Sequence, residues 1–203
     1  MGVNVAVVGA TGNVGREILT ILDERKFPAK DVIALASTKS AGRETALGDR
    51  TLKVQSLETF DFSTVDIALF SAGGSVAQKW APLAAKAGCV TIDNSSAFRM
   101  DPDIPLVVPE VNSQAISEYN KRNIIANPNC STIILALAIA PLRPFGIKSV
   151  NVTTLQAVSG AGYPGLSSFD MIGNVIPFID GEEEKIETET QKILGSLKDE
   201  KVE

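Results

Sequence analysis

A thiol stands where a helix is predicted to begin. Cys130 follows Asn127-Pro128-Asn129 and precedes an apolar run that starts at Ile133. Unpaired backbone N–H groups and the positive end of the helix dipole stabilise a thiolate at such a position. We therefore expect Cys130 to ionise more readily than a free cysteine and to act as a nucleophile. The alternative is a small buried cysteine that only packs.

A reactive cysteine needs a proton partner, but the 203 residues include no histidine. Histidine is the commonest base for this task, so any hypothesis about the chemistry must explain its absence. Gln156 could orient a substrate carbonyl or amide, or it could be a buried glutamine satisfied by the main chain. Glu182 and Lys185 share one face of a predicted helix, a spacing that is also typical of a solvated ion pair.

The composition excludes several classes of function. The net charge is 19 − 24 = −5 without a basic run, which argues against a nucleic-acid partner. Two cysteines argue against a disulfide framework. No signal peptide and no apolar stretch of membrane-spanning length is recognisable. We expect a cytoplasmic protein with no membrane partner and no metal site.

Short apolar runs alternate with helical patterns along the first part of the chain. Strands buried on both faces and joined by helices predict a Rossmann-like, doubly wound parallel sheet. The predicted strands are residues 5–8, 32–36, 67–70, 90–92 and 124–126, and residues 76–87 are predicted to form a helix.

The pattern changes after residue 127, where we place a domain boundary. Residues 150–155 alternate in period two, which predicts a strand with one polar face. Residues 182–203 are rich in charge and are predicted to be helical. The predicted domains are therefore residues 1–127 and 128–203.

A glycine-rich turn follows the first predicted strand and opens a helix. The spacing from Gly9 to Gly15 is G-x-x-G-x-x-G. In this context, backbone N–H groups and the helix N-terminus can hold a pyrophosphate. The alternative is a tight turn that serves only helix–strand packing. The residues predicted to contact the cofactor here are Gly9, Thr11, Gly12, Asn13 and Val14.

The end of the second predicted strand indicates which dinucleotide is bound. An NAD-binding fold normally has an acidic residue there, but no acid occurs before Glu44. Hydroxyls and cations suit a 2′-phosphate, so NADP is the predicted cofactor, although a polar surface loop would look the same. The candidate residues of this segment are Ser37, Thr38, Lys39, Ser40 and Arg43.

Other candidates follow later strands. Ser71, Ala72 and Gly73 form a second predicted backbone cradle. Ser159-Gly160 are small enough to let a cofactor approach closely. Arg99, in the loop after the fourth strand, could bind an oxyanion such as phosphate, or it could be a solvated surface cation.

Taken together, these segments resemble the aspartate-β-semialdehyde dehydrogenase family. The motifs that carry the resemblance are Gly9-Ala10-Thr11-Gly12, Ser71-Ala72-Gly73, Asn94-Ser95-Ser96-Ala97-Phe98-Arg99, Asn127-Pro128-Asn129-Cys130-Ser131-Thr132, Gln156-Ala157-Val158-Ser159-Gly160-Ala161-Gly162 and Glu182-Glu183-Glu184-Lys185.

The resemblance implies NADPH-dependent reduction of β-aspartyl phosphate to aspartate semialdehyde and phosphate. It implies that Cys130 is the nucleophile and that Gln156 helps to position the acyl group. It assigns phosphate binding to Arg99 and Lys185 and the amino-acid end of the substrate to Glu182. Asn129 is grouped with the substrate-binding residues, and a homo-oligomer, either a dimer or a tetramer, is implied.

The family also has a carboxylate-binding arginine and a histidine beyond the Glu-Glu-x-Lys motif, which have no match here. We therefore expect the second domain to be an incomplete α+β catalytic/dimerisation domain. The chain by itself is expected to bind nucleotide without turning over. It could be a truncation, one half of a split enzyme or a degenerate copy.

Two competing hypotheses remain. N-acetyl-γ-glutamyl-phosphate reductase has the same architecture, but its cysteine usually lies in a Pro-Gly-Cys-Tyr context, unlike Asn129-Cys130-Ser131. A truncated, non-catalytic NADP-binding module would explain the missing histidine.

Overall fold

The computed structural model describes residues 2–195, 197–198 and 201–202. The strands are β1 Val3–Val8, β2 Ala29–Ala36, β3 Glu44–Leu47, β4 Arg50–Lys53, β5 Gln55–Ser56, β6 Ile67–Phe70, β7 Val90–Asp93, β8 Ile124–Ala126, β9 Leu197–Lys198 and β10 Lys201–Val202. The α-helices are α1 Asn13–Glu24, α2 Gly74–Lys86, α3 Pro109–Asn112, α4 Cys130–Ile139, α5 Ser168–Met171 and α6 Glu182–Leu194. Short 3-10 helices span Thr38–Ser40, Leu57–Thr59, Phe62–Thr64, Ser113–Lys121, Ala140–Phe145 and Val158–Ala161.

Six of these strands form a parallel sheet in the order β5-β2-β1-β6-β7-β8. The central strand β1 is apolar, and Val5, Ala6, Val7 and Val8 are at most 1% exposed. The chain extends the sheet from β1 in both directions, first to β2 and later to β6. This confirms the predicted doubly wound parallel sheet, in which ligands bind at the carboxyl ends of the strands.

The chain divides into two units. The first contains the residues up to Val107 together with Gln114–Pro128, and the second contains Val108–Ser113 together with the residues from Asn129 onward. Within the second unit, α4 packs against α6, and α3 contacts both. Among the described residues, no helix has both the length and the apolar character that a membrane span requires.

The strand predicted at residues 150–155 is absent from the structure. These residues have no assigned secondary structure and are exposed, with Leu155 at 91%. A strand is stabilised by hydrogen bonds to a neighbouring strand, and no described segment pairs with this one. The helix predicted over residues 182–203 forms only as α6, which ends at Leu194. The prediction is wrong for Leu197–Lys198 and Lys201–Val202, which pair as antiparallel strands, and Ser196, Asp199, Glu200 and Glu203 lie outside the described residues.

Gly15 shows how closely the first helix packs against the turn after β1. A Cβ at Gly15 would overlap the carbonyl oxygen of Gly9, whereas a Cβ at Gly74 would meet no atom within 4 Å. Both glycines lie in the first turn of a helix and neither has a positive φ. The two positions therefore separate steric fit from intrinsic helix propensity.

We predict that Gly15→Ala destabilises the protein by about 1–3 kcal/mol, because the backbone of the turn must shift to admit a methyl group. Gly74→Ala is the matched control and should change the free energy of unfolding by less than about 1 kcal/mol. Urea unfolding followed by circular dichroism measures both. Equal stability of Gly15→Ala and the parent would contradict this packing.

Candidate active site

Four loops at the carboxyl edge of the sheet are joined by main-chain hydrogen bonds. In each case, an N–H group that follows one strand donates to a carbonyl near the end of the neighbouring strand. The pairs are Gly9 N to Leu35 O at 2.8 Å, Ser71 N to Val8 O at 2.8 Å, Asn94 N to Phe70 O at 3.0 Å and Asn127 N to Asp93 O at 2.8 Å. The structure therefore places the predicted glycine turn, the Ser71 loop and the Arg99 loop along one edge.

The glycine turn fits a dinucleotide phosphate. Gly9 has φ +88°, and a Cβ there would lie 2.9 Å from the carbonyl of Ser71. Gly12 is the N-cap of α1, and no side chain caps this helix. The N–H groups of its first turn, which begins at Asn13, are thus available to an anion. Thr11 is half-buried, and Val14 is 48% exposed.

The Ser71-Ala72-Gly73 segment provides a second opening of the same type. Gly73 is the N-cap of α2, again without a side-chain cap, and it has φ +88°. A Cβ at Gly73 would meet nothing within 4 Å, so the space beside this helix N-terminus is open. Both features are those that a bound dinucleotide requires.

The segment after β2 presents exposed polar side chains. Ser37, Thr38, Lys39 and Arg43 are exposed, and Ser40 is half-buried. Within the described part of the chain, neither Lys39 nor Arg43 has a side-chain hydrogen bond or ion pair. These free cations fit the predicted 2′-phosphate site.

The structure adds a carboxylate that the sequence pattern did not reveal. Glu58 Oε2 accepts hydrogen bonds from Ser56 Oγ at 2.7 Å and from Thr38 Oγ1 at 2.8 Å. Hydrogen bonds from Ser56 and then Thr38 lower the pKa of the Glu58 carboxyl. Twenty residues separate Glu58 from Thr38, so only the pairing of β2 with β5 brings them together. A carboxylate beside this segment opposes a 2′-phosphate and could accept a ribose hydroxyl.

Arg99 is buried and fixed by main-chain carbonyls. It is 8% exposed, and its guanidinium donates to Asn127 O at 2.9 Å and to Asn94 O at 3.0 Å. The nearby Asp93 accepts from Ser95 N at 3.1 Å and from Ser95 Oγ at 2.7 Å. Burial raises the pKa of the Asp93 carboxyl, while the Ser95 hydrogen bonds and the charge of Arg99 oppose this shift. Arg99 is therefore not a solvated surface cation.

Cys130 occupies the first position of helix α4, as predicted. Asn129 is the N-cap, and its Oδ1 accepts from Ser131 N at 2.8 Å and from Thr132 N at 3.3 Å. Cys130 is exposed, which excludes the alternative of a buried packing cysteine. By contrast, Cys89 is fully buried, and burial, with a smaller effect from the charge of Asp66, raises the pKa of its thiol to about 12.

Glu182 binds two other predicted site residues of the second unit, Gln156 and Asn129. This carboxylate is 7% exposed. Its Oε1 accepts from Gln156 Nε2 at 2.8 Å, and its Oε2 accepts from Asn129 Nδ2 at 3.1 Å. Both oxygens thus bind amides, and Lys185 instead donates to Asp180 O at 3.4 Å.

Ser159-Gly160 and Glu189 are the remaining residues of interest in the second unit. Ser159-Gly160 lie in the exposed 3-10 helix Val158–Ala161. The backbone N–H of Asn129 donates to Oε2 of Glu189 at 2.7 Å, a contact that the sequence analysis did not include. The seven-residue spacing places Glu182 and Glu189 on one face of α6, but no sequence signal identifies Asn129 as the partner of Glu189.

Two family models match the chain. The model described as semialdehyde dehydrogenase, NAD binding domain, matches residues 4–119, and the model described as semialdehyde dehydrogenase, dimerisation domain, matches residues 139–203. The chain belongs to the semialdehyde dehydrogenase family. The expected family resemblance is thereby confirmed.

Individual relatives agree with this assignment. The chain is 51% identical over 191 residues to aspartate-semialdehyde dehydrogenase 2 of Vibrio cholerae, covering 94% of this chain and 56% of that protein. A crystal structure of aspartate semialdehyde dehydrogenase II from Vibrio cholerae superposes with a TM-score of 0.86 at 47% identity, covering 96% of this chain and 67% of that one. The Candida albicans aspartate semialdehyde dehydrogenase solved with NADP gives a TM-score of 0.70 at 32% identity, with coverages of 98% and 62%.

We predict that iodoacetamide modifies Cys130 of this family member before Cys89 at neutral pH. Cys130 is exposed at a helix N-terminus, whereas Cys89 is buried and its burial raises the pKa of the thiol to about 12. Mass-spectrometric mapping after brief treatment distinguishes the two thiols, and a Cys130→Ala variant serves as control. Preferential labelling of Cys89 would reverse the assignment.

We predict that NADP binds more tightly than NAD and that Glu58→Gln increases the ratio of the two affinities. Removing the carboxylate removes a like charge beside Thr38, so NADP should bind about twofold to tenfold more tightly. Calorimetric titration of both nucleotides measures the ratio. The matched control is Glu118→Gln, which removes the same charge from a side chain that is 54% exposed in the 3-10 helix Ser113–Lys121. An unchanged NADP/NAD ratio in Glu58→Gln would show that this carboxylate does not influence the cofactor site.

Proposed function

We propose that this chain carries the cofactor-binding domain, residues 1–127, and the nucleophile of an NADP-dependent aspartate-semialdehyde dehydrogenase. The reaction is the reduction of β-aspartyl phosphate to aspartate semialdehyde and phosphate. The chain spans 56% of the curated Vibrio cholerae relative, so the activity of the whole enzyme is part of the proposal. The observation that carries it is an exposed Cys130 whose N-cap, Asn129, is bound to the carboxylate that also holds Gln156.

The first step uses the thiol of Cys130. Its thiolate attacks the acyl carbon of β-aspartyl phosphate, and a thioester forms as phosphate leaves. Glu182 accepts a hydrogen bond from the amide of Gln156, which orients this side chain for the acyl group.

Binding of the phosphate is assigned to Arg99 and Lys185. Two carbonyls hold the guanidinium of Arg99, so it loses little side-chain entropy when an oxyanion arrives. When bound, NADPH would supply a hydride to the thioester carbon, and the aldehyde would leave as the C–S bond breaks and the Cys130 thiolate is restored. The Gly9–Gly15 turn and the Ser71-Ala72-Gly73 segment would hold the cofactor, and Lys39 and Arg43 would bind its 2′-phosphate. Asn129 and Glu182 are the remaining residues of the substrate site.

The alternative enzyme, an N-acetyl-γ-glutamyl-phosphate reductase, is not favoured. The relatives and structures named above are aspartate-semialdehyde dehydrogenases, which supports the aspartyl substrate. A homo-oligomer in the cytoplasm, with small-molecule partners and no nucleic acid, completes the proposal. The match to a dimerisation domain supports self-association, as do exposed apolar side chains such as Phe145 and Phe169, which are 85% and 94% exposed.

We predict that β-aspartyl phosphate, generated in situ from aspartate, ATP and an aspartate kinase, acylates Cys130. Intact-protein mass spectrometry should detect one aspartyl adduct, which hydroxylamine removes as expected for a thioester. Cys89→Ala should be acylated like the parent, whereas Cys130→Ala should not be acylated.

Steady-state turnover of this chain by itself should remain far below the usual 1–10³ per second, because none of its 203 residues is a histidine that could transfer protons. A chain that binds NADP but forms no adduct would instead support the non-catalytic binding module.

A further inference from the structure

Glu189 is a buried carboxylate that the proposed chemistry leaves without a role. Its side chain is 2% exposed, and it lies on α6, seven residues after Glu182. Taking a carboxylate out of water costs free energy unless specific donors satisfy it. The hydrogen bond that Glu189 accepts from the Asn129 backbone therefore indicates what it does.

Two buried glutamates of α6, Glu182 and Glu189, bind the same asparagine. A separation of seven residues is two helical turns, which places Glu182 and Glu189 on one face of α6. Glu182 Oε2 accepts from the side-chain amide of Asn129 at 3.1 Å, and Glu189 Oε2 accepts from its backbone N–H at 2.7 Å. Side chain and main chain of Asn129 are thus fixed separately.

This fixation extends to the first turn of the cysteine helix. With its Nδ2 held by Glu182, Asn129 directs Oδ1 to the N–H groups of Ser131 and Thr132. Its carbonyl oxygen accepts from Ile133 N at 3.0 Å. Cys130 lies between the cap and these residues, so its backbone is set by contacts on both sides.

We propose that Glu189 is a positioning residue for Cys130. Its carboxylate holds the main chain of Asn129, and Asn129 in turn sets the helical turn on which the thiol stands. Glu189 acts through the hydrogen bond that it accepts and not through its charge. This inference rests on the proposed role of Cys130 as the nucleophile.

Two substitutions separate the hydrogen bond from the charge. Glu189→Gln removes the charge but keeps an oxygen at the same distance, whereas Glu189→Asp keeps the charge but withdraws the acceptor by one methylene. Glu187 is exposed on the same helix, so Glu187→Gln and Glu187→Asp are the matched controls. The measured quantity is the rate of iodoacetamide modification of Cys130 as a function of pH, at temperatures where circular dichroism shows a folded chain.

The proposal predicts slower modification in Glu189→Asp, by about threefold to thirtyfold at neutral pH, as expected when a helix cap is lost. The pH profile of its rate should change as well. The modification rates of Glu189→Gln and of both Glu187 variants should stay within about twofold of the parent rate. Glu189→Gln retains the acceptor oxygen, and Glu187 does not contact Asn129. A purely structural role would lower the unfolding temperature of Glu189→Asp without changing its pH profile, and that result would overturn the proposal.

A different pattern identifies a charge effect. If Glu189→Gln changes the pH profile and Glu189→Asp does not, the hydrogen bond is not the cause and the proposal is wrong. Failure of the proposed function is recognised separately, because Cys130 of the parent would then form no aspartyl adduct. A parent that is acylated, with Glu189 variants that react like it, would refute only the positioning role.

Discussion

The hydrogen bonds of Asn129 are the constraint on which the position of Cys130 depends. Its backbone N–H and its Nδ2 are bound by two buried carboxylates, while its Oδ1 and its carbonyl oxygen accept from the first turn of α4. These four contacts fix where the helix begins in the structure. The exposed thiol of Cys130 therefore follows a residue that is hydrogen-bonded through both its main chain and its side chain.

Hydrogen bonds and close packing also fix the loops of the first unit, which carries the glycine turn. Main-chain hydrogen bonds link the loops at the carboxyl edge of the sheet, and the glycine turn fits against α1 with no room for a methyl group at Gly15. Arg99 is held by carbonyl oxygens near the buried Asp93. In both units, groups that are costly to bury are placed where they fix a neighbouring loop.

Much of the first unit could be predicted because its signals are local. Each buried strand is a short apolar run, and the Gly9–Gly15 turn lies between a strand and a helix. Because the strands are parallel, the segments that follow them in the sequence lie at the same edge of the sheet. Two features could not be predicted in this way. Glu58 reaches Thr38 only because β5 pairs with β2. Glu189 reaches Asn129 across sixty residues, and an acidic residue on a charged helix is usually solvated.

The prediction of a strand at residues 150–155 was wrong for a related reason. Period-two alternation reports which side chains share a face, but a strand forms only when another strand supplies hydrogen bonds. The pattern contains no information about that partner. The start of the Cys130 helix was predicted correctly because the apolar run that begins at Ile133 is a local signal.

Hydrogen exchange of the Asn129 backbone amide tests the central claim most directly, since this N–H connects the cap to the buried Glu189. The amide should exchange as slowly as that of Ile133 within helix α4, because both are released only when the helix opens. If the Asn129 amide exchanges as fast as the amides of the exposed segment at residues 150–155, the carboxylate does not hold the cap, and the support described for Cys130 does not exist.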